Sequence, residues 1–380
     1  MKTIKLGELC DINPKDALPD KGTLVSFIPM QRVSETGQVD ATEIRQSEEV
    51  TKGFSSFREG DILMAKITPC MENGKGGIAK GLCNGIGYGS TEFHVIRPTS
   101  PLVRTEWIYY YTTYPRFRKL CEQNMTGSAG QKRVPKSYLL GCPIPVPNLN
   151  TQDKVIHSLR SLRSIIELLR AQLMKLEELV KCRFVEMFGY IELNYRLEDL
   201  CSLITDGTHQ PPQFTDSGIP FLLVSNIKEN YINYETYKFI DEQTYRHLIK
   251  RTPVETGDLL LSTVGSYGHP AIVQGTQRFC FQRHIAFLKP IRERVNSVYL
   301  HQAILSDNVQ EQIEKSVLGV AQKTLNLSAI RRLVIPYPPI EKQNSFASFV
   351  QRVDKLRIAV QASLDKTQQL FDSLMQEYFG

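Results

Sequence analysis

LLGCPIPVPNLNTQ (139–152) and IRRLVIPYPPIEKQ (330–343) are two versions of one passage: an apolar run, a Pro-x-Pro and a glutamine. Pro145 and Pro336, Pro147 and Pro338, and Gln152 and Gln343 are each 191 residues apart. The same offset sets KLGELC (5–10) over RLEDLC (196–201), GQKRVPKSYL (130–139) over AQKTLNLSAI (321–330), and LVKCRFVEMFG (179–189) over LFDSLMQEYFG (370–380). Between these anchors the register drifts. FREGDILMAK (57–66) matches VETGDLLLST (254–263) at offset 197, and EFHVIRP (92–98) matches HIAFLKP (284–290) at 192. Each copy is far longer than a solenoid repeat. The chain of 380 residues therefore reads as a duplicated domain with a duplicated appendage. Two copies suit a target that is itself two-fold, as duplex DNA is.

Within each copy the first part predicts mixed α/β structure. GDILMAKIT and GDLLLSTVG are apolar runs opened by Gly-Asp, a turn entering a buried strand. TEFHVIRP and RHIAFLKP predict strands closed by proline. TEWIYYYTTYPRFRKLCEQN (105–124) predicts a helix, matched by SVYLHQAILSDNVQEQIEK (297–315), and Trp107 belongs to the core because its aromatic neighbours follow helical spacing.

The texture then changes. Gln152 to Phe188 and Gln343 to Phe379 contain neither proline nor glycine. Val155, Leu159, Leu162, Ile166, Leu169, Leu173, Leu176 and Val180 alternate spacings of four and three, a heptad seam on a helix of roughly 55 Å. Phe346, Val350, Val353, Val360, Leu364 and Phe371 continue it at the 191 offset, with Arg357 and Thr367 weakening the second seam. Neither stripe is buried by its own helix, so the two are expected to pair antiparallel. The expected division is a globular domain over 1–150, a spacer helix over 151–190, a second domain over 191–341 and a second helix over 342–380.

Composition excludes several classes. Apolar content of 41% and charged content of 23% describe a globular chain. No apolar run reaches membrane-spanning length, and MKTIKLGELCDINPKD has no secretory apolar core. The eight cysteines are scattered with no C-x-x-C, which suits free thiols in a reducing cytoplasm. P-loop, nucleophile-elbow and Rossmann signatures are missing. GKGGIAKG (74–81) reads as a basic loop. None of the seven histidines stands at metal-ligand spacing. His209, in TDGTHQPP, lies in a proline-bounded turn. The net charge of +6 permits nucleic-acid binding without requiring it, so clustering decides. Residues 116–136 hold Arg116, Arg118, Lys119, Lys132, Arg133 and Lys136 against Glu122 alone.

Two variable domains, each followed by a long helix with P-x-P-x-x-x-x-Q at the junction, resemble the specificity (S) subunit of type I restriction–modification systems. The motifs are ITDGTHQPPQF (204–214), GIPFLLVSNI (218–227), GDLLLSTVG (257–265), QRHIAFL (282–288) and IPYPPIEKQ (335–343). The first half departs from the pattern, with CDINPKD where the second has CSLITDGTHQPP. The resemblance implies an α/β (mixed α+β) fold: two pseudo-two-fold-related target recognition domains separated by two long antiparallel coiled-coil helices. Each domain would read half of a bipartite DNA target. The helices would set the spacer and dock two methyltransferase subunits, with a restriction (translocase) subunit further out. It implies a non-catalytic chain in the cytoplasm of a bacterium or archaeon, with S-adenosylmethionine in the partner and no cofactor here.

Base readout needs polar residues at loop tips, with cations on flanking phosphates. The candidates are Lys66, Thr68, Asn73 and Lys75; Ser128, Gln131, Lys132 and Arg133; Thr208 and His209; Thr263, Ser266 and Tyr267; Arg283; and Gln322, Lys323 and Thr324. The Gln-Lys pair recurs in both copies, so its lysines are assigned to phosphate, while loops 66–80 and 263–269 are assigned to bases. The competing reading of Gln-Lys is a solvent-facing turn. Domains ~50 Å apart would meet groove segments more than one ~34 Å turn apart, as a split site requires. Three rivals remain: the specificity chain of a type IIB-like system, a coiled-coil scaffold that binds only protein, and an enzyme whose site residues are dispersed in sequence.

Overall fold

A computed structural model describes residues 2–128, 130–228, 230–317 and 323–380. The chain divides into two compact units. One comprises Met1–Leu169 with Ser363–Gly380, the other Arg170–Ala362. Each long helix is therefore shared between the units.

Each unit is built on a four-stranded antiparallel sheet. In the first the order is Cys10–Ile12, Phe93–Pro98, Ile62–Ala65 and Gly76–Ile78. In the second it is Cys201–Asp206, Ile285–Pro290, Leu259–Ser262 and Pro270–Ile272. A second sheet accompanies each, four-stranded in the first unit and three-stranded in the second, with one parallel pairing in the same place: Phe27 beside Tyr88, and Phe221 beside Cys280. The repeated Gly-Asp opens the central strand in both units. Gly60 and Gly257 take φ of +86° and +95°, which favours glycine. The aspartate then closes the turn, Asp61 accepting from Arg58 N at 2.7 Å and Asp258 from Glu255 N at 2.8 Å.

The Pro-x-Pro passages form strands that return to the start of their own domains. Pro143–Val146 pairs with Lys2–Lys5, and Val334–Pro336 with Leu193–Arg196. Helices Leu149–Phe188 and Ile340–Phe379 follow, each 40 residues long. They begin earlier than the expected 151 and 342, and their glutamines occupy the fourth position.

Those glutamines are fully buried. Gln152 Oε1 accepts from Arg104 N at 2.9 Å, and its Nε2 donates to Leu102 O at 2.8 Å and Pro147 O at 2.9 Å. Gln343 Oε1 accepts from Asn296 N at 2.9 Å, and its Nε2 donates to Pro338 O at 2.9 Å. One amide thus ties the long helix to the entry of the aromatic helix Thr105–Thr113 or its counterpart Ser297–Ile304.

Trp107 and Tyr299 are buried on those helices and donate to equivalent carbonyls, Trp107 Nε1 to Pro145 O at 2.9 Å and Tyr299 OH to Pro336 O at 2.6 Å. The expectation that Trp107 is a core residue is borne out. Phe379 lies 4.6 Å from Trp107 and Phe188 lies 4.9 Å from Tyr299, ring centre to ring centre. Each globular core is therefore finished by the last turn of the helix that follows the other copy.

The helices run antiparallel within each unit. In the first, Arg163 lies over the Phe371 ring, near the end of the second helix. In the second, Phe184 near the end of the first helix meets Phe346 near the start of the second, at 5.5 Å. The seam residues Leu159, Ile166, Val353 and Val360 are buried; Leu162, Leu169, Leu173, Leu176, Val350 and Leu364 are half-buried.

Two expectations are corrected. The helices over 105–124 and 297–315 are each broken in two: Thr105–Thr113 and Pro115–Gln123, then Ser297–Ile304 and Asp307–Ser316. Pro115 forbids a helical Tyr114 before it. The supposed loop 74–81 contains the strand Gly76–Ile78. A Cβ on Gly76 would lie 2.8 Å from Leu63 O and one on Gly77 2.6 Å from Gly37 O, so these glycines serve close backbone packing.

Candidate nucleic-acid interface

In the first unit, backbone bonds draw two segments distant in sequence to one edge. Thr68 N donates to Lys132 O at 3.0 Å, and Val134 N to Lys66 O at 2.9 Å. Thr126 and Arg133 exchange two backbone bonds of 2.9 and 2.8 Å, closing a turn that carries Ser128, Gln131 and Lys132, all exposed. Lys75 joins them because Ala65 N donates to its carbonyl at 3.0 Å; Asn73 is exposed in the intervening turn.

The cations differ in availability. Arg133 forks onto Glu92 with two bonds of 2.9 Å and holds that carboxyl below its ordinary range. Thr68 Oγ1 donates to Glu72 at 2.8 Å. Arg118 is turned inward, with Nη2 on Gly74 O at 2.8 Å. Lys132 is exposed and makes no ion pair among the described residues.

The second unit repeats the juxtaposition. Val264 bridges Thr324 as Ile67 bridges Arg133, and Leu325 N donates to Thr263 O at 2.9 Å. A cleft of about 330 Å³ is lined by Asp206, Thr263, Arg283, His284, Thr324 and Asn326. Thr263, expected at a loop tip, is only 5% exposed: it follows the strand Leu259–Ser262 with both its backbone groups bonded, which leaves its side chain little to offer a duplex. Ser266 and Arg283 are exposed. Tyr267 OH bonds Glu314, and Lys323 Nζ pairs with the same carboxylate at 2.7 Å. Glu314 is thereby lowered and Lys323 raised. Lys323 therefore differs from Lys132 in already having an anion. Gln322 lies outside the described residues.

ITDGTHQPP explains itself. Asp206, 13% exposed at its side chain, receives His209 Nε2 at 2.9 Å and Arg251 Nη2 at 2.5 Å. A Cβ on Gly207 would lie 2.1 Å from Phe281 O. Thr208 Oγ1 donates to Gln210 O at 2.9 Å and fixes the turn. Arg251 escaped the sequence reading: it stands 45 residues from Asp206, in no motif and no repeat.

Among the described residues, no helix is long and apolar enough to cross a membrane, and no group of three or more His, Cys, Asp or Glu is placed to hold a metal ion.

The family model for the type I restriction modification DNA specificity domain matches residues 1–178 and again 193–368. The specificity subunit of the type I restriction enzyme EcoAI of Escherichia coli is 42% identical over 170 residues, 44% of this chain and 28% of that one. The EcoBI specificity subunit of the same organism is 23% identical over 308 residues, 71% of this chain and 64% of that one. The chain thus spans less than two thirds of the length of these curated relatives. Among solved structures, the S subunit of a type I system from M. genitalium aligns over 100% of this chain and 96% of its own, with a TM-score of 0.58 at 14% identity. A chain from work on complex assembly and conformational transition of the type I R-M system gives 0.58 at 18% identity, covering 100% and 97%. These two likenesses concern the fold. With both copies of the repeat matched by its model, the chain belongs to the family of type I restriction–modification DNA specificity domains.

Proposed function

We propose that the chain is the specificity subunit of a type I restriction–modification complex. Each unit reads one half of a bipartite duplex target, and the helices set the gap. The observation that carries this reading is the repeated edge: in each unit a lysine-bearing segment (Lys132, Lys323) is bridged to the loop leaving the central strand. Lys132 grips phosphate directly, and Lys323 does so after releasing Glu314. Exposed surface pairs of that kind are weak, so phosphate competes with them. Ser266 and Asn73 stand at tips open to base edges.

The helices supply a protein-binding surface. Ile165, Leu168, Met174, Leu179 and Val185 on the first and Leu356, Ile358 and Leu370 on the second are large, apolar and exposed. Such residues favour docking of the two methyltransferase subunits, which bind S-adenosylmethionine and carry out the chemistry; a restriction subunit joins them. This chain itself is non-catalytic and works in the cytoplasm, where the chromosome is.

The test is selection from a randomised duplex library by the chain co-purified with its methyltransferase subunit. Two short defined halves around a fixed gap support the reading. One continuous motif means a single reading unit. No enrichment from a folded complex means a scaffold that binds only protein.

A further inference from the structure

Resting on that reading, we propose that Arg251 determines specificity in the half-site taken by the second unit, reading a guanine in the major groove, and that Asp206 is its positioning residue. Asp206 ends the edge strand Cys201–Asp206 and lines the same cleft as Arg283, Thr324 and Asn326, next to the Lys323 segment. A second cleft, of about 190 Å³, is lined by Thr208, His247 and Arg251. The carboxylate thus stands between the candidate face and the arginine, and the Arg251 side chain is 53% exposed.

The hydrogen-bond count decides what Arg251 offers. A guanidinium has five N–H donors in a rigid fork. Asp206 takes one of the two on Nη2. One complete two-donor edge remains, either Nη1 with Nη2 or Nε with Nη2. In the major groove guanine offers the matching pair of acceptors, O6 and N7. The carboxylate also partly offsets the arginine's charge and fixes its direction, so Arg251 acts chiefly as a directional donor. Held at one end, the side chain loses little freedom on binding. His209 Nε2 stands 2.9 Å from the other carboxylate oxygen. At the 191 offset the first unit has Lys15 where the second has Asp206, and the neighbouring Asp16 pairs with Arg58 and Arg97 on other strands.

The library selection is repeated with Arg251→Ala, Arg251→Lys and Asp206→Asn in the complete complex. All three are expected to reduce preference for one guanine in one half-site by roughly tenfold, the size of a bidentate arginine–guanine contact. The other half-site and the gap stay as they are and report on folding within the same experiment. Arg251→Lys keeps the charge without the planar fork, so it retains binding to non-specific duplex while its preference for the guanine weakens. Equal weakening on all sequences, with a salt slope shallower by about one, would identify a phosphate contact and overturn the proposal. Undiminished preference for the guanine in Arg251→Ala, or in Asp206→Asn should Arg251→Ala lose the whole half-site through misfolding, would overturn it too; lysine itself reaches guanine O6 and N7, so Arg251→Lys is read as a graded loss. A wild-type complex that selects no split motif refutes the function itself, a result distinct from either.

Discussion

A buried amide in the first helical turn answers why the junction passage is written twice. Gln152 and Gln343, themselves fully buried, each satisfy a backbone N–H and at least one carbonyl. Replacing either by leucine keeps the volume and strands those groups. Each substitution is expected to cost about 2–4 kcal/mol, read as a lower denaturant midpoint with unchanged m. The ion pairs make a second residue-scale prediction. Asp16 is held below its ordinary range, first by its hydrogen bonds from Arg97. Its folded value lies below the unfolded one, so the stabilisation is complete above the ordinary aspartate range and is lost as pH falls through the folded value. The first unit should therefore soften in acid, and Arg97→Met should weaken that dependence, with Arg58 still on Asp16. The same substitution leaves Asp61 buried without its cation, at a cost of about 3–5 kcal/mol at neutral pH. At the interface, Glu314→Gln is expected to free Lys323 and tighten binding to any duplex, whereas Lys132→Ala loosens it on all sequences and flattens the salt dependence. Titrations on a random-sequence duplex at several salt concentrations check both.

At the scale of elements, periodicity was a good guide wherever one physical cause set it. The heptad seam lies inward along both helices because the 3.5-residue spacing leaves no other stripe to bury. Gly-Asp marked the central strand because the turn needs both a positive φ and an acceptor. Tyr114 and the strand through Gly76 were misread for opposite reasons: a proline whose effect falls on the residue before it, and glycines that are small for packing and not for flexibility. The Lys132 edge was legible only as a repeat, since backbone bonds across more than 60 residues create it. Arg251 left no trace, because its partner is fixed by tertiary packing. The two Phe-Gly endings were seen as anchors, but their destination was not. Phe379→Ala is expected to cost about 3–5 kcal/mol in the first unit alone. Hydrogen exchange should show faster amides over 105–123 and 143–146, with 297–316 unaffected.

For the whole molecule, the helices are the quantity to vary. Inserting one heptad between 160 and 180 is expected to lengthen the gap in the selected motif and leave both half-sites intact; an unchanged gap would separate spacing from helix length. The seam must be kept in phase, which is why seven residues and not five are inserted.

The finishing of each core by the far helix has a consequence for inheritance. The first domain and the phenylalanine that closes its core are separated in sequence by the whole second domain. A recombination that imports a new first domain brings the reading loops but keeps the resident Phe379, Tyr378 and Met375. Successful exchange therefore depends on the donor presenting an aromatic surface that accepts them, as Trp107 and Tyr111 do here. The aromatic floor, and not the exposed loops, then sets which first domains this chain's second helix can complete.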